Sequence, residues 1–220
     1  MSTPETHSRV TPPFADNVPK CTTDSCARDR IFEAAKNLFY RYGIRGVSVD
    51  AIAAEADTTK VTLYRVFSSK DELIVKVLEE YSKHVFEWWD SVVAPHAGHP
   101  RRQIEALFAG LRDKVCCDAA ERGCPVTNAA VEVVEPDHPA KEVIRTHKVE
   151  VNRRLRELCA EMGAKAPQQL GDALTLLISG IFASRLAFYG AEQIDSVYAA
   201  AVALLDSPLG VPPAKLAKKR

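Results

Sequence analysis

From about residue 26 to residue 206, apolar side chains return every three or four positions, and no hairpin signal interrupts them. That period places apolar groups on one side of a helix, whereas a strand would need alternation. Valine is frequent, yet it too falls into the helical pattern. The expected fold class is therefore all-α. At 220 residues the chain has the length of one or two domains and enough apolar residues, 46%, for a full core.

The pattern divides into segments. A first helix is predicted over Cys26–Tyr42, with Ile31, Ala34, Leu38, Phe39 and Tyr42 as its apolar face and Gly43 as its stop. Ser48 reads as an N-cap, followed by a short helix Val49–Ala56 with Asp50 in its first turn. Lys60–Phe67 reads as a second short helix. Ser69 and Glu72 have capping-box spacing and open a long helix. Its stripe is Leu73, Val77, Tyr81, Val85, Trp88 and Val92. Pro95, Gly98 and Pro100 then interrupt the chain, which points to a domain boundary at about 95–100.

Beyond that break, Ile104, Phe108, Leu111 and Val115 line a helix ending near Gly123. Pro139 can open another, with Ile144, His147, Val151, Leu155, Leu158 and Met162 on one face and Gly163 at its end. Pro167 opens a helix running to Gly190, and a last one spans about Ser196–Asp206. Residues 1–24 are polar and carry Pro4, Pro12, Pro13 and Pro19, the composition of a flexible arm. Residues 207–220 end in Lys215, Lys218, Lys219 and Arg220, a short basic tail.

Composition bounds the partners. Lys plus Arg and Asp plus Glu are both 29, so the formal net charge is zero. Attraction to nucleic acid or to an anionic membrane by bulk charge is excluded, and any such binding must come from a local patch. The first 25 residues hold no apolar run like that of a signal peptide. The most apolar stretch, Ala173–Ala191, is broken by Thr175, Ser179, Ser184 and Arg185. The expectation is a cytoplasmic protein without membrane association, its thiols reduced. The cysteines at 21, 26, 116, 117, 124 and 159 form no CxxC pair, and His84, His96, His99 and His138 supply no zinc-ligand spacing. No phosphate loop, GxSxG, HExxH or dinucleotide fingerprint occurs, so neither an enzyme nor a cofactor is expected.

Two short helices joined by a tight turn and braced by a preceding helix have the layout of a helix-turn-helix. In that motif the second helix enters the DNA major groove. Here it is Thr59-Lys-Val-Thr-Leu-Tyr-Arg-Val66, anchored by Leu63 and Phe67 and offering donors from Thr59, Lys60, Thr62, Tyr64 and Arg65. The same spacing also suits an ordinary amphipathic helix pair with a solvated polar face.

Ile31-Phe-Glu-Ala-Ala-Lys-Asn-Leu-Phe39 with Tyr42-Gly43 resembles the first helix of the TetR family of transcriptional regulators. Ser48-Val-Asp-Ala-Ile-Ala-Ala-Glu-Ala56 is similar to the family's second helix. Thr59 to Phe67 resembles its recognition helix, and Ser69-Lys-Asp-Glu-Leu73 the start of its fourth. Arg122-Gly-Cys-Pro-Val-Thr-Asn-Ala-Ala-Val-Glu132 and Pro136-Asp-His-Pro-Ala140 resemble ligand-domain segments of one branch. The chain departs from the family where Asp57 and Thr58 replace the usual Gly and apolar residue of the turn. It departs again at Val61, where a small residue is common, and at Val66, where His is common. Asp57 can take the left-handed conformation such a turn needs. Val61 points to a different groove contact, to a thymine methyl.

The resemblance implies a DNA-binding domain over 25–75 and a helical effector-binding and dimerisation domain over 76–206. It implies phosphate contacts from Ser48, Thr59, Tyr64 and Lys70, and base contacts from Lys60, Val61, Thr62 and Arg65. From 28 to 72 there are eight Lys/Arg and seven Asp/Glu, so the reading face must be polarised rather than basic overall. The partners implied are a palindromic double-stranded DNA operator, a second copy of the chain and a small-molecule effector, with repression the commoner outcome. Dimerisation would use the last two helices, through Leu177, Ile178, Ile181, Phe188, Val197 and Leu204. An effector pocket would draw on Trp88, Trp89, Phe108 and Phe182, with Asn128, Glu132 and His147 as polar groups; core packing is the ordinary alternative for each. Two rival readings remain at this level. Cys116, Cys117 and Cys124, close in sequence to Lys114 and Arg122, have the setting of a redox-sensing thiol group. An all-helical interaction protein that does not bind DNA has the same periodicity.

Overall fold

The computed structural model describes residues 24–117, 123–184, 191–207 and 209–210, with residues 24, 115–117, 184 and 191–193 described by backbone alone. The N-terminal arm, most of the basic tail, the Cys116 and Cys117 thiols, Arg122 and Phe188 lie outside the described groups. Among the described residues there are nine α-helices and no strand. They are α1 Asp24–Tyr42, α2 Val49–Glu55, α3 Lys60–Val66, α4 Lys70–Val93, α5 Pro100–Cys117, α6 Pro125–Glu132, α7 Ala140–Glu161, α8 Pro167–Ser184 and α9 Ala191–Asp206. The chain is all-α, as its periodicity requires. No helix of the described residues is long and apolar enough to cross a membrane.

Two compact units divide the chain, Met1–Lys70 and Asp71–Arg220. The division falls at the first peptide bond of α4, not at 95–100. Pro95, Gly98 and Pro100 do end a helix there, but the break is a 3-10 turn, Ala94–His96, between two helices of one core. Trp89 of α4 and Ile104, Leu107 and Phe108 of α5 are buried in the same cluster. Proline and glycine interrupt hydrogen bonding along a helix; they do not separate apolar surfaces that the turn folds back together.

In the first unit, Ile31, Ala35, Ile52, Leu63 and Phe67 are buried, and α1 lies against both α2 and α3. Tyr42, expected on the apolar face of α1, is exposed. Gly43 takes φ +79° and turns the chain there, so Ile44 and Val47 fill the core in its place.

The second unit is built around α5, α7, α8 and α9. Ile104, Leu107, Phe108, Leu155, Leu170 and Leu174 form its centre. Helices α7 and α8 approach so closely that a Cβ on Gly171 would stand 2.6 Å from Arg156 Cγ. Arg156 bridges the pair by donating to both oxygens of Asp172, at 2.7 and 2.8 Å. The α4 stripe is rotated from its expected line: Leu73, Ile74, Val77, Leu78 and Trp89 are buried, while Tyr81, Val85, Trp88 and Val92 are half-buried. Steps of four residues turn the face by about 40° each, so a stripe drawn that way drifts over 24 residues. Helix α6 was not separately expected. Pro125 starts it, and before it Gly123, at φ +85°, lies where a Cβ would come 2.6 Å from the Phe182 carbonyl oxygen of α8.

Candidate functional site

The α2–α3 segment is assembled by short-range chemistry. Ser48 caps α2, its Oγ accepting from Ala51 N–H at 3.1 Å. The helix ends at Ala56, and Asp57 turns the chain at φ +48°, the one positive φ among the described non-glycine residues. The turn is closed by Thr58 N–H donating to the Ala53 carbonyl at 2.9 Å. Thr59 then caps α3, its Oγ1 accepting from Thr62 N–H at 3.2 Å and lying 3.0 Å from the Thr62 hydroxyl oxygen.

Leu63 is fully buried and pins α3 to the core. Arg28 of α1 holds its other end: Nη1 donates to the Val66 carbonyl at 2.8 Å, and the guanidinium stacks 4.4 Å from the Phe67 ring centroid. This places the opposite face outward. Val61 is 80% exposed, Tyr64 46% exposed, and Lys60 and Arg65 are exposed as well. The two lysines are oriented by their own unit. Lys60 Nζ pairs with Asp50 Oδ2 of α2 at 3.1 Å. Lys70 Nζ donates to the Ile44 carbonyl at 2.6 Å and lies 5.9 Å from the Phe39 ring centroid. Arg28, Asp50 and Ile44 were missed by sequence reasoning, since no local spacing couples them to α3 or α4.

Residues 31–77, from α1 into α4, match the family described as bacterial regulatory proteins, tetR family. The chain is also similar to SCO4454, a TetR-family transcriptional regulator from Streptomyces coelicolor. The two superpose with a TM-score of 0.71 at 28% identity, over 82% of this chain and 95% of that one. Residues 31–77 are a TetR-family domain. This is a family of transcriptional regulators and not of enzymes. The HTH-type transcriptional repressor SCO4008 of Streptomyces coelicolor is 38% identical over 93 residues, 37% of this chain and 48% of that protein. The HTH-type transcriptional repressor DhaR of Mycobacterium sp. strain GP1 is 25% identical over 124 residues, 56% of this chain and 59% of that protein. The match thus spans about half the length of these curated relatives. Within the TetR-family frame, α2 and α3 are the helix-turn-helix.

The residues expected to line an effector pocket fall into the second unit, in three settings. Trp89 and Phe108 are buried in its main core, with Trp88 and Phe182 half-buried against it. His147 of α7 is 4% exposed, and its Nδ1 lies 2.8 Å from Ser82 Oγ of α4. Its ring faces Phe86 at 5.2 Å between centroids. Burial, with Lys148 adding its charge, lowers the imidazole pKa to about 4, so the ring is neutral near pH 7. Asn128 and Glu132 are half-buried on α6. The neighbouring Lys148 Nζ donates to Thr127 Oγ1 at 2.7 Å and so ties α6 beside His147. Arg154, two turns along α7 from His147, covers Phe86 at 4.6 Å and Trp89 at 5.9 Å and pairs with Asp90 at 2.5 Å. Its i+7 spacing from His147 was a usable signal for the shared face.

Of the residues expected at a dimer contact, Ile178 and Ile181 are buried within their own chain. Leu177, Val197 and Leu204 are half-buried against the same cores. Cys124 is buried at the start of α6, and burial raises the Cys159 thiol to about 12. Among the described residues, no group of three His, Cys, Asp or Glu is placed to hold a metal ion.

Proposed function

We propose that this protein is a transcriptional repressor that binds a palindromic operator as a homodimer and leaves it when a small-molecule effector binds. The observation that carries the reading is α3 itself. It is clamped from behind by Leu63 and Arg28 and turns Lys60, Val61, Tyr64 and Arg65 to solvent. A rigid helix with one outward face can enter a major groove about 12 Å wide. Ser48, Thr59, Tyr64 and Lys70 contact phosphates in this reading, while Lys60, Val61, Thr62 and Arg65 face base edges. Phosphate contacts position such a protein and base contacts specify its site. The relatives named as repressors support the direction of regulation.

One such head buries little surface, so two are needed, and two-fold pairing suits a palindrome. The inward packing of Ile178 and Ile181 moves the proposed contact to the outer sides of α8 and α9. Leu176 is 71% exposed there, with Gly180 and Ala183 of α8 and Ala199, Ala200 and Ala203 of α9 also exposed. Small side chains let two helix pairs approach closely. The effector enters among α4, α5, α7 and α8, where the Ser82–His147 pair is a polar group in apolar surroundings. It acts by favouring the conformation that does not fit the operator.

A gel-shift assay with the DNA upstream of the protein's own gene tests the reading, repeated with candidate effectors. Retarded DNA that an effector releases is expected. Absence of any shift at micromolar dimer and low salt overturns it. Light scattering after gel filtration tests the dimer, and a monomer at micromolar concentration refutes it.

A further inference from the structure

Val61 is the most exposed of the large apolar side chains among the described residues, at 80%. It stands second in α3, at a place where nothing in its own chain gains from a branched apolar group. A β-branched residue also lowers helix propensity slightly. The polar groups around it are engaged with one another: Lys60 Nζ with Asp50, and the Thr59 hydroxyl with that of Thr62. The first turn of the recognition helix therefore offers a pair of methyl groups framed by tied donors. In the major groove, the base-edge group that accepts apolar contact is the C5-methyl of thymine. The methyl of 5-methylcytosine occupies the same position on the pyrimidine ring.

We propose that Val61 makes operator recognition depend on a pyrimidine C5-methyl group, supplied by thymine or equally by 5-methylcytosine. The proposal rests on α3 being the recognition helix. It adds that α3 reads a methyl group, and that cytosine methylation can create the contact where no thymine stands. Burial of one methyl corresponds to about a fourfold change in affinity for each half-site, and about 15-fold for two.

The test uses the full-length protein and duplexes it selects from a random-sequence DNA library. Each thymine of a selected duplex is replaced in turn by deoxyuridine, which removes the methyl and nothing else. One position in each half-site is expected to show about a fourfold loss. Placing cytosine at that position and then 5-methylcytosine is expected to show a gain of the same size. Val61→Ala should bind the parent duplex more weakly and lose both methyl effects, with a melting temperature equal to or slightly above the parent's, because the side chain is exposed and alanine is the better helix former. Uracil duplexes that bind like their parents overturn the proposal alone, as does a Val61→Ala protein that keeps the uracil penalty. A library from which nothing is recovered overturns it together with the DNA-binding reading.

Discussion

Lys70 Nζ donates to the Ile44 carbonyl oxygen at 2.6 Å, so the residue that opens α4 is fastened to the turn that precedes α2. The bond closes a loop of 26 positions around the whole helix-turn-helix. It is partly shielded from water, and the ammonium also lies near the face of Phe39.

Lys70→Met keeps the aliphatic stem and removes the donor. We expect it to destabilise the protein by about 1–2 kcal/mol, the worth of a partly buried charged hydrogen bond. Denaturant unfolding measures this loss. Salt titration of DNA affinity separates the two roles of the side chain: a slope shallower by about 0.9 per head, about 1.8 for the dimer, marks lost phosphate contacts, and an unchanged slope marks a purely structural fastening.

Asp50 holds Lys60 at 3.1 Å, and both side chains are more than half exposed. Such a pair adds little stability. Asp50→Asn should therefore leave the melting temperature nearly unchanged. It should strengthen DNA binding at low salt and steepen the salt dependence, because a carboxylate leaves the reading face and Lys60 is released. Equal affinities and equal salt slopes for both proteins would refute the placement of Lys60 and Asp50 on the DNA-facing side.

Thr59 caps α3 through Thr62 N–H at 3.2 Å. Thr59→Ala should cost about 1 kcal/mol of stability. Leu63→Ala, at a fully buried position of the same helix, should cost about 2–5 kcal/mol. Unfolding curves that rank the two the other way would contradict the account of what holds α3 in place.

His147 makes stability depend on pH with a defined sign. Its folded pKa, about 4, lies below its ordinary value of 6.5, so between these values the unfolded chain binds the extra proton. Its contribution is complete above pH 6.5 and is lost as pH falls toward 4. The loss over that window is on the order of 3 kcal/mol. Chemical denaturation at pH 7 and pH 5 should show the decline in the parent protein and a weaker one in His147→Gln.

Gly171 and Gly180 lie on the same helix and should respond oppositely to Ala. At Gly171 the new Cβ would meet Arg156 at 2.6 Å, and overpacking should cost about 1–3 kcal/mol. At Gly180 nothing lies within 4 Å of it, so the isolated chain should gain from the better helix former. If the outer face of α8 pairs two chains, Gly180→Leu should weaken the dimer, which sedimentation velocity reads directly.

The sequence by itself determined the all-α class, the helix-turn-helix, the cap at Ser48, the left-handed turn at Asp57 and the outward polar side of α3. These depend on contacts within about one helical turn, where residue spacing and side-chain chemistry are decisive. Tertiary structure alone decided which apolar surfaces share a core. It moved the boundary from 95–100 to the Lys70–Asp71 bond, because Trp89 and Phe108, on either side of the turn that carries Pro95, are buried in one core cluster. It turned Tyr42 outward and Ile178 and Ile181 inward, since periodicity marks an apolar side without saying what covers it. It also chose Asp50 for Lys60, Ile44 for Lys70 and Ser82 for His147, partners 10, 26 and 65 positions away. Long flexible side chains reach any neighbour that folding delivers, and that delivery is a property of the whole packed chain.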